Sequence, residues 1–167
     1  MNRGGILLVL VALLPGCASY DGRGLVAGRS TAVEAEALMG APAATRPTGD
    51  GGRVLYFTRA PLGRHTYAVS VGPDGVLRGV EQVLTWDNTY KLVAGTTTKP
   101  QVRDLLGPPG LVSRLPRQER EVWEYKWLHF EEKRVLWVQF SDDGIVREAL
   151  NMRDFAAEPP SGHGRRR

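Results

Sequence analysis

The chain has 167 residues, a net charge of +4 at pH 7, a pI near 9.5 and a single cysteine, Cys17. One cysteine excludes an internal disulfide, so the fold must be held by its core alone. The basic excess sits at the ends: Arg3 carries one charge and Arg165, Arg166 and Arg167 carry three, and without them the net charge is zero, which excludes the basic body expected of a nucleic-acid-binding domain.

The chain begins with Met1-Asn2-Arg3 and an unbroken apolar run from Ile6 to Leu14. The run falls far below the roughly 20 residues that a membrane-spanning helix requires and reads as the apolar region of a signal peptide. Leu14-Pro15-Gly16-Cys17 then resembles the bacterial lipobox, Leu-x-Gly-Cys, with Pro15 where Ala or Ser is commoner. The resemblance implies cleavage before Cys17 and lipid on its sulfur and new amino group. One acyl chain gives only marginal attachment, at ~0.8 kcal/mol per buried methylene, whereas the three chains of a mature bacterial lipoprotein hold firmly. Ala18, in place of an aspartate, implies sorting to the outer membrane. Residues 1–16 are therefore expected to be a lipoprotein signal peptide and residues 17–24 a lipidated tether.

Leu25 to Pro42, LVAGRSTAVEAEALMGAP, is repeated 67 positions later as Leu92 to Pro109, LVAGTTTKPQVRDLLGPP. Leu25, Val26, Ala27, Gly28, Thr31, Leu38, Gly40 and Pro42 are identical to their partners, which marks a duplicated supersecondary unit. Thr31 with Glu34, and Thr98 with Gln101, are capping boxes that start a helix in each copy. Val33, Ala37 and Leu38, and in the second copy Val102, Leu105 and Leu106, give each helix an apolar stripe. Gly40 and Gly107 close the helices, and Pro42 and Pro109 forbid continuation. Helices of two to three turns are unstable alone, so each must lie on something.

Beyond each helix the sequence predicts strands. Arg53 to Arg59 aligns with Glu121 to Trp127, and Thr66 to Arg78 aligns with Val135 to Arg147. Gly72-Pro73-Asp74-Gly75 and Ser141-Asp142-Asp143-Gly144 form hairpin turns within the latter pair. Each copy reads helix, strand, strand, tight turn, strand. Thr45 to Gly52 and Pro108 to Arg120 read as loops, Trp86 to Lys91 as the join, and Thr89 to Leu92 as a short helical turn. Residues 156–167, AAEPPSGHGRRR, lack apolar periodicity and are expected to be a disordered basic tail.

The pattern Thr-x-x-Gln-Val-x-x-Leu-Leu-Gly-x-Pro from Thr98 to Pro109, then Trp123-x-Tyr125, then Phe140-x-Asp142-x-Gly144-x-Val146, resembles the SmpA/OmlA (BamE-like) family of outer-membrane lipoproteins. The first copy matches less closely, with Leu55 and Phe57 in place of the aromatic pair. Two such units in tandem are also similar in architecture to the β-lactamase inhibitor proteins. The resemblance covers roughly Leu25 to Met152 and its motifs are structural. It implies an α+β fold of two BamE-like units, residues 25–86 and 87–155, each a short helix or helix pair on an antiparallel three-stranded meander.

Strand alternation assigns faces. Trp123, Tyr125, Trp127, Leu136, Val138 and Phe140 are expected beneath the helix. The opposite face is expected to be open and to carry Trp137, Gln139, Lys126, Arg147 and Asn151, joined in the first copy by Tyr56, Thr58, Ser70, Arg78 and Gln82. An aromatic among arginines and amides has the composition of a protein-binding patch. For chemistry the sequence offers little: His65, His129 and His163 are scattered without metal-ligand spacing, and no serine lies in a Gly-x-Ser-x-Gly elbow. Asp142 and Asp143 read as turn residues. The expectation is a non-enzymatic module without cofactor, metal, small-molecule substrate or nucleic acid. Lipid would anchor it to the periplasmic face of the outer membrane, where it binds a protein in envelope or β-barrel assembly. A lipid-anchored inhibitor of a periplasmic or extracellular enzyme is the second expectation.

Overall fold

A computed structural model describes residues 20–157; the signal peptide, residues 17–19 of the tether with Cys17, and residues 158–167 of the tail lie outside the described residues. The fold is α+β, built from two like units. The first runs α1 (Ala32–Met39), β1 (Ala44–Pro47), β2 (Arg53–Thr58), β3 (Thr66–Val71) and β4 (Leu77–Gln82). A short α2 (Trp86–Tyr90) leads to the second: α3 (Lys99–Leu106), β5 (Leu111–Leu115), β6 (Arg120–His129), β7 (Glu132–Phe140) and β8 (Val146–Arg153). Each sheet is a four-stranded antiparallel meander, in the orders β1-β2-β3-β4 and β5-β6-β7-β8. Among the described residues no helix is long and apolar enough to cross a membrane.

The duplicated residues perform duplicated tasks. Both capping boxes form: the amide of Thr31 donates to Glu34 Oε2 at 2.7 Å, and that of Thr98 to Gln101 Oε1 at 2.8 Å. Gly28 and Gly95, at φ 75° and 79°, donate their amides to the carbonyl oxygens of Leu77 and Val146. Ala32 and Lys99 donate to Gly75 and Gly144 in the tight turns, so each helix is pinned by its N-terminus to the last hairpin of its own sheet. The bulges match as well, between Ser70 and Val71 and between Gln139 and Phe140.

Four strands replace the expected three. The extra strand in each copy, β1 and β5, falls in a stretch that reads as a loop. It occupies the sheet edge and has no fully buried residue, so the alternation that betrays a strand is missing; Pro47 is tolerated where β1 ends because an edge strand has one unpaired side. The expected turn at Thr89 to Leu92 is instead α2, beginning at Trp86 because Thr85 caps it through the amide of Asn88. The inward stripe of α1 is Ala32, Ala35 and Met39, while Val33 is exposed. That helix is apolar on most sides, so periodicity alone selects no face, whereas Ala35 and Met39 are the repeat partners of the buried Val102 and Leu106.

Two cores result. One holds Ala35, Met39, Leu55, Phe57, Val69 and Leu77; the larger holds Leu106, Trp123, Tyr125, Trp127, Leu136 and Phe140. The aromatic row is therefore beneath the helix, as alternation predicts. Leu84 and Trp86, which the sequence assigns to the first copy, pack into the second core.

Candidate functional site

The outer faces of the two sheets have different fates. In the first, Ala44, Val54, Tyr56, Ala68 and Val83 form a small apolar cluster, and the C-terminal end of α3 from the second unit lies on it. Tyr56 donates its hydroxyl to the Asp104 carbonyl oxygen at 3.0 Å. Arg46 Nε meets Asp104 Oδ1 at 2.6 Å. Gly107 approaches so closely that an added Cβ would lie 2.7 Å from Thr66 Cγ2 and 3.0 Å from Tyr56 Cδ1. Asn88 secures the join by donating to the carbonyl oxygen of Val83 at 2.8 Å. Tyr56, expected on an open face, is 3% exposed, because the second unit covers it.

The outer face of the second sheet has no such cover. Cross-strand partners share a face, so the register sets Leu111, Glu124, Trp137 and Leu150 in one row and Val122, Gln139 and Glu148 in the next. Trp137 is 39% exposed and donates its indole N–H to Glu124 Oε2 at 2.8 Å. Leu111 is exposed in the same row, Leu115 is exposed further along β5, and Lys126 is half-buried. Gln139 departs from expectation: it is buried, its amide oxygen accepting from Arg120, which also pairs with Glu148 at 3.3 Å. A neighbouring guanidinium has taken up its hydrogen-bonding capacity.

The two arginines leave the patch for turns. Arg78 pairs with Asp50 in the β1–β2 connection, and Arg147 pairs with Asp143 at 2.6 Å and donates to Ser141. In Asp143 the carboxyl is held below its ordinary range first by the Ser141 hydroxyl and the Ile145 amide. Asn151 belongs to the core side, accepting from Arg134 Nε at 3.0 Å. Of the second-sheet residues expected on this face, Trp137 and Lys126 remain together in the open.

Between the units lies a groove of about 500 Å³, lined by Arg46, Tyr56, Lys99, Arg103, Glu121 and Trp123 among others. Lys99 Nζ meets Glu121 Oε2 at 3.0 Å, and the Trp123 indole donates to the same carboxylate at 2.5 Å. The Glu121 carboxyl is held low, chiefly by Lys99. The Arg103 guanidinium sits 4.9 Å above the Trp123 ring. No motif marks this groove, because it arises only when one copy docks on the other. His65 stacks on Tyr67 and His129 lies tilted against Trp86, and among the described residues no group of three His, Cys, Asp or Glu is placed to hold a metal ion.

No protein-family model matches the chain, and no curated protein matches it. Among solved structures it is similar to a DUF4309 family protein, YjgB, from Bacillus subtilis subsp. subtilis str. 168, with 21% identity over 80% of this chain and 88% of that one and a TM-score of 0.30.

Proposed function

We propose that the chain is a lipid-anchored, non-catalytic protein-binding module of the bacterial outer membrane, serving envelope or β-barrel assembly through the open face of its second sheet. One observation carries this reading: the row Leu111, Trp137 and Leu150 stands on the face that, in the first unit, is buried under a helix end. An antiparallel sheet with one solvated face ordinarily turns polar residues outward, and a half-exposed tryptophan between Glu124 and Leu150 on such a face is the composition of a binding hot spot. The Leu14-Pro15-Gly16-Cys17 segment supports the anchor in this reading, and the resemblance of the second copy to the SmpA/OmlA family supports the compartment.

The test places a photo-crosslinking amino acid at position 137 and, as control, at Val33 on the far side of α1, in intact cells. Capture of a membrane-embedded or envelope protein from position 137 alone supports the reading. Equal capture from both positions, or none from either, sinks it. A soluble enzyme captured from position 137 would instead make the protein an inhibitor. Separately, Cys17→Ala should move the protein from the membrane to the soluble periplasmic fraction.

A further inference from the structure

Where the β2–β3 loop and the β6–β7 turn lie together, large apolar side chains stand in solvent and belong to neither core. Leu62 and Phe130 are each 87% exposed, Phe155 is 70% and Tyr90 is 68%. Among the described residues Val33 alone, at 76%, is comparably exposed elsewhere. Single exposed hydrophobics need no explanation, but a gathering of them does.

Contacts do gather them. Arg64, two residues past Leu62, pairs with Asp154 at 2.6 Å and donates to the Arg134 carbonyl oxygen at 3.3 Å, which fixes the loop beside the residue preceding Phe155. The His129 ring centroid lies 4.4 Å from Trp86 and 4.6 Å from Phe130, and that of Trp86 lies 5.1 Å from Tyr90. Phe130 holds φ at 52°, a left-handed conformation that bulky residues seldom adopt. The two-residue turn between His129 and Glu132 demands that conformation and is best served by Gly or Asn, so the turn alone does not account for a phenylalanine there.

Chain entry lies at the same end. Tyr20 packs edge-on against Tyr67 with centroids 5.8 Å apart, and the Arg59 guanidinium sits 4.4 Å from its ring. Residue 17 is three positions earlier, within about 11 Å of extended chain. Cations border the apolar tips: Arg59 and Lys133 are exposed, and Arg153 lies 6.0 Å from the Phe155 ring while meeting Glu132. Apolar tips edged by cations match a bilayer interface, where rings and aliphatic chains enter the acyl boundary and guanidinium and ammonium groups stay among phosphates.

We propose that this end of the molecule docks on a phospholipid leaflet, with Leu62, Tyr90, Phe130 and Phe155 entering the interface. The inference rests on the lipid-anchor reading, because an anchor at Cys17 brings this end, rather than the Asp74 and Asp143 turns, to the membrane. It gives the molecule an orientation: the strands stand on the bilayer and the open sheet face looks sideways along it.

The test uses the full lipidated chain in vesicles of phosphatidylethanolamine and phosphatidylglycerol. With Cys17 acylated, Leu62→Cys, Phe130→Cys and Phe155→Cys each give one site for a nitroxide, and Leu111→Cys gives a control. Expected is a ratio of oxygen to nickel-chelate accessibility several-fold higher at positions 62, 130 and 155 than at 111. Equal ratios at all four, on a protein whose intact mass carries the acyl chains, overturn the docking and leave the anchor standing. An intact mass without acyl chains overturns the anchor reading and the docking with it.

Discussion

The two sheets share a topology and differ in what lies on their outer faces. The first turns Ala44, Tyr56 and Ala68 toward a helix end; at the same places the second has Leu111, Glu124 and Trp137. On the first sheet Gly107 comes close against Tyr56 and Thr66. On the second, the equivalent row leaves an indole half in water. Two units of one topology thus serve differently, one outer face as an internal joint and the other as an outward surface.

The largest effect that should separate the faces comes from truncating their aromatics. Tyr56→Ala is expected to cost about 3 kcal/mol in chemical denaturation, because a buried ring and its hydrogen bond are lost together. Trp137→Ala is expected to cost less than about 1 kcal/mol while abolishing capture of the partner by a photo-crosslinker placed at Leu150, its cross-strand neighbour. Comparable losses from both would mean that the second face is also core.

Next come the two helix-closing glycines. Both have positive φ, but an added Cβ meets nothing within 4 Å at Gly40 and would strike Thr66 and Tyr56 at Gly107. Gly40→Ala should cost about 2 kcal/mol of conformational strain, and Gly107→Ala about 3 kcal/mol once overpacking is added. Equal melting temperatures for the two variants would refute the close joint.

Acid should loosen α3 on its own sheet, because Lys99 and Glu121 both belong to the second unit. Glu121 is depressed chiefly by Lys99. A carboxyl with a lowered folded-state pKa contributes stability above its unfolded value, near 4.3, and loses it as pH falls through the folded value. Glu121→Gln should therefore flatten the fall in melting temperature below about pH 4.3, which a pH series would measure. The smallest effect is expected of Asp104→Asn. Its ion pair with Arg46 is about half exposed, so the loss should be under about 1 kcal/mol.

Much of the fold was legible because it is written in local chemistry. Thr31 with Glu34, Thr98 with Gln101 and the Asp-Gly turns satisfy backbone groups within a few residues, and repetition of the pattern identified both units. The faces of β6 and β7 followed from strict alternation of Trp123, Tyr125 and Trp127. β1 and β5 were not legible, since an edge strand with no buried side chain carries no periodic signal. The candidate surface was half legible. Trp137 and Lys126 keep the face that alternation assigned them, whereas Tyr56 and Gln139 do not remain exposed, the one covered by α3 and the other engaged by Arg120.

The amino-acid sequence by itself determined the duplicated unit, its helix limits, its hairpin turns and the inward row of aromatics, because each depends on spacing within one short segment. Only the tertiary structure decided which outer face is closed, where the groove runs and which apolar tips share an end. Those depend on how one copy rests against the other, and the distance between Tyr56 and Asp104 exists in no local pattern.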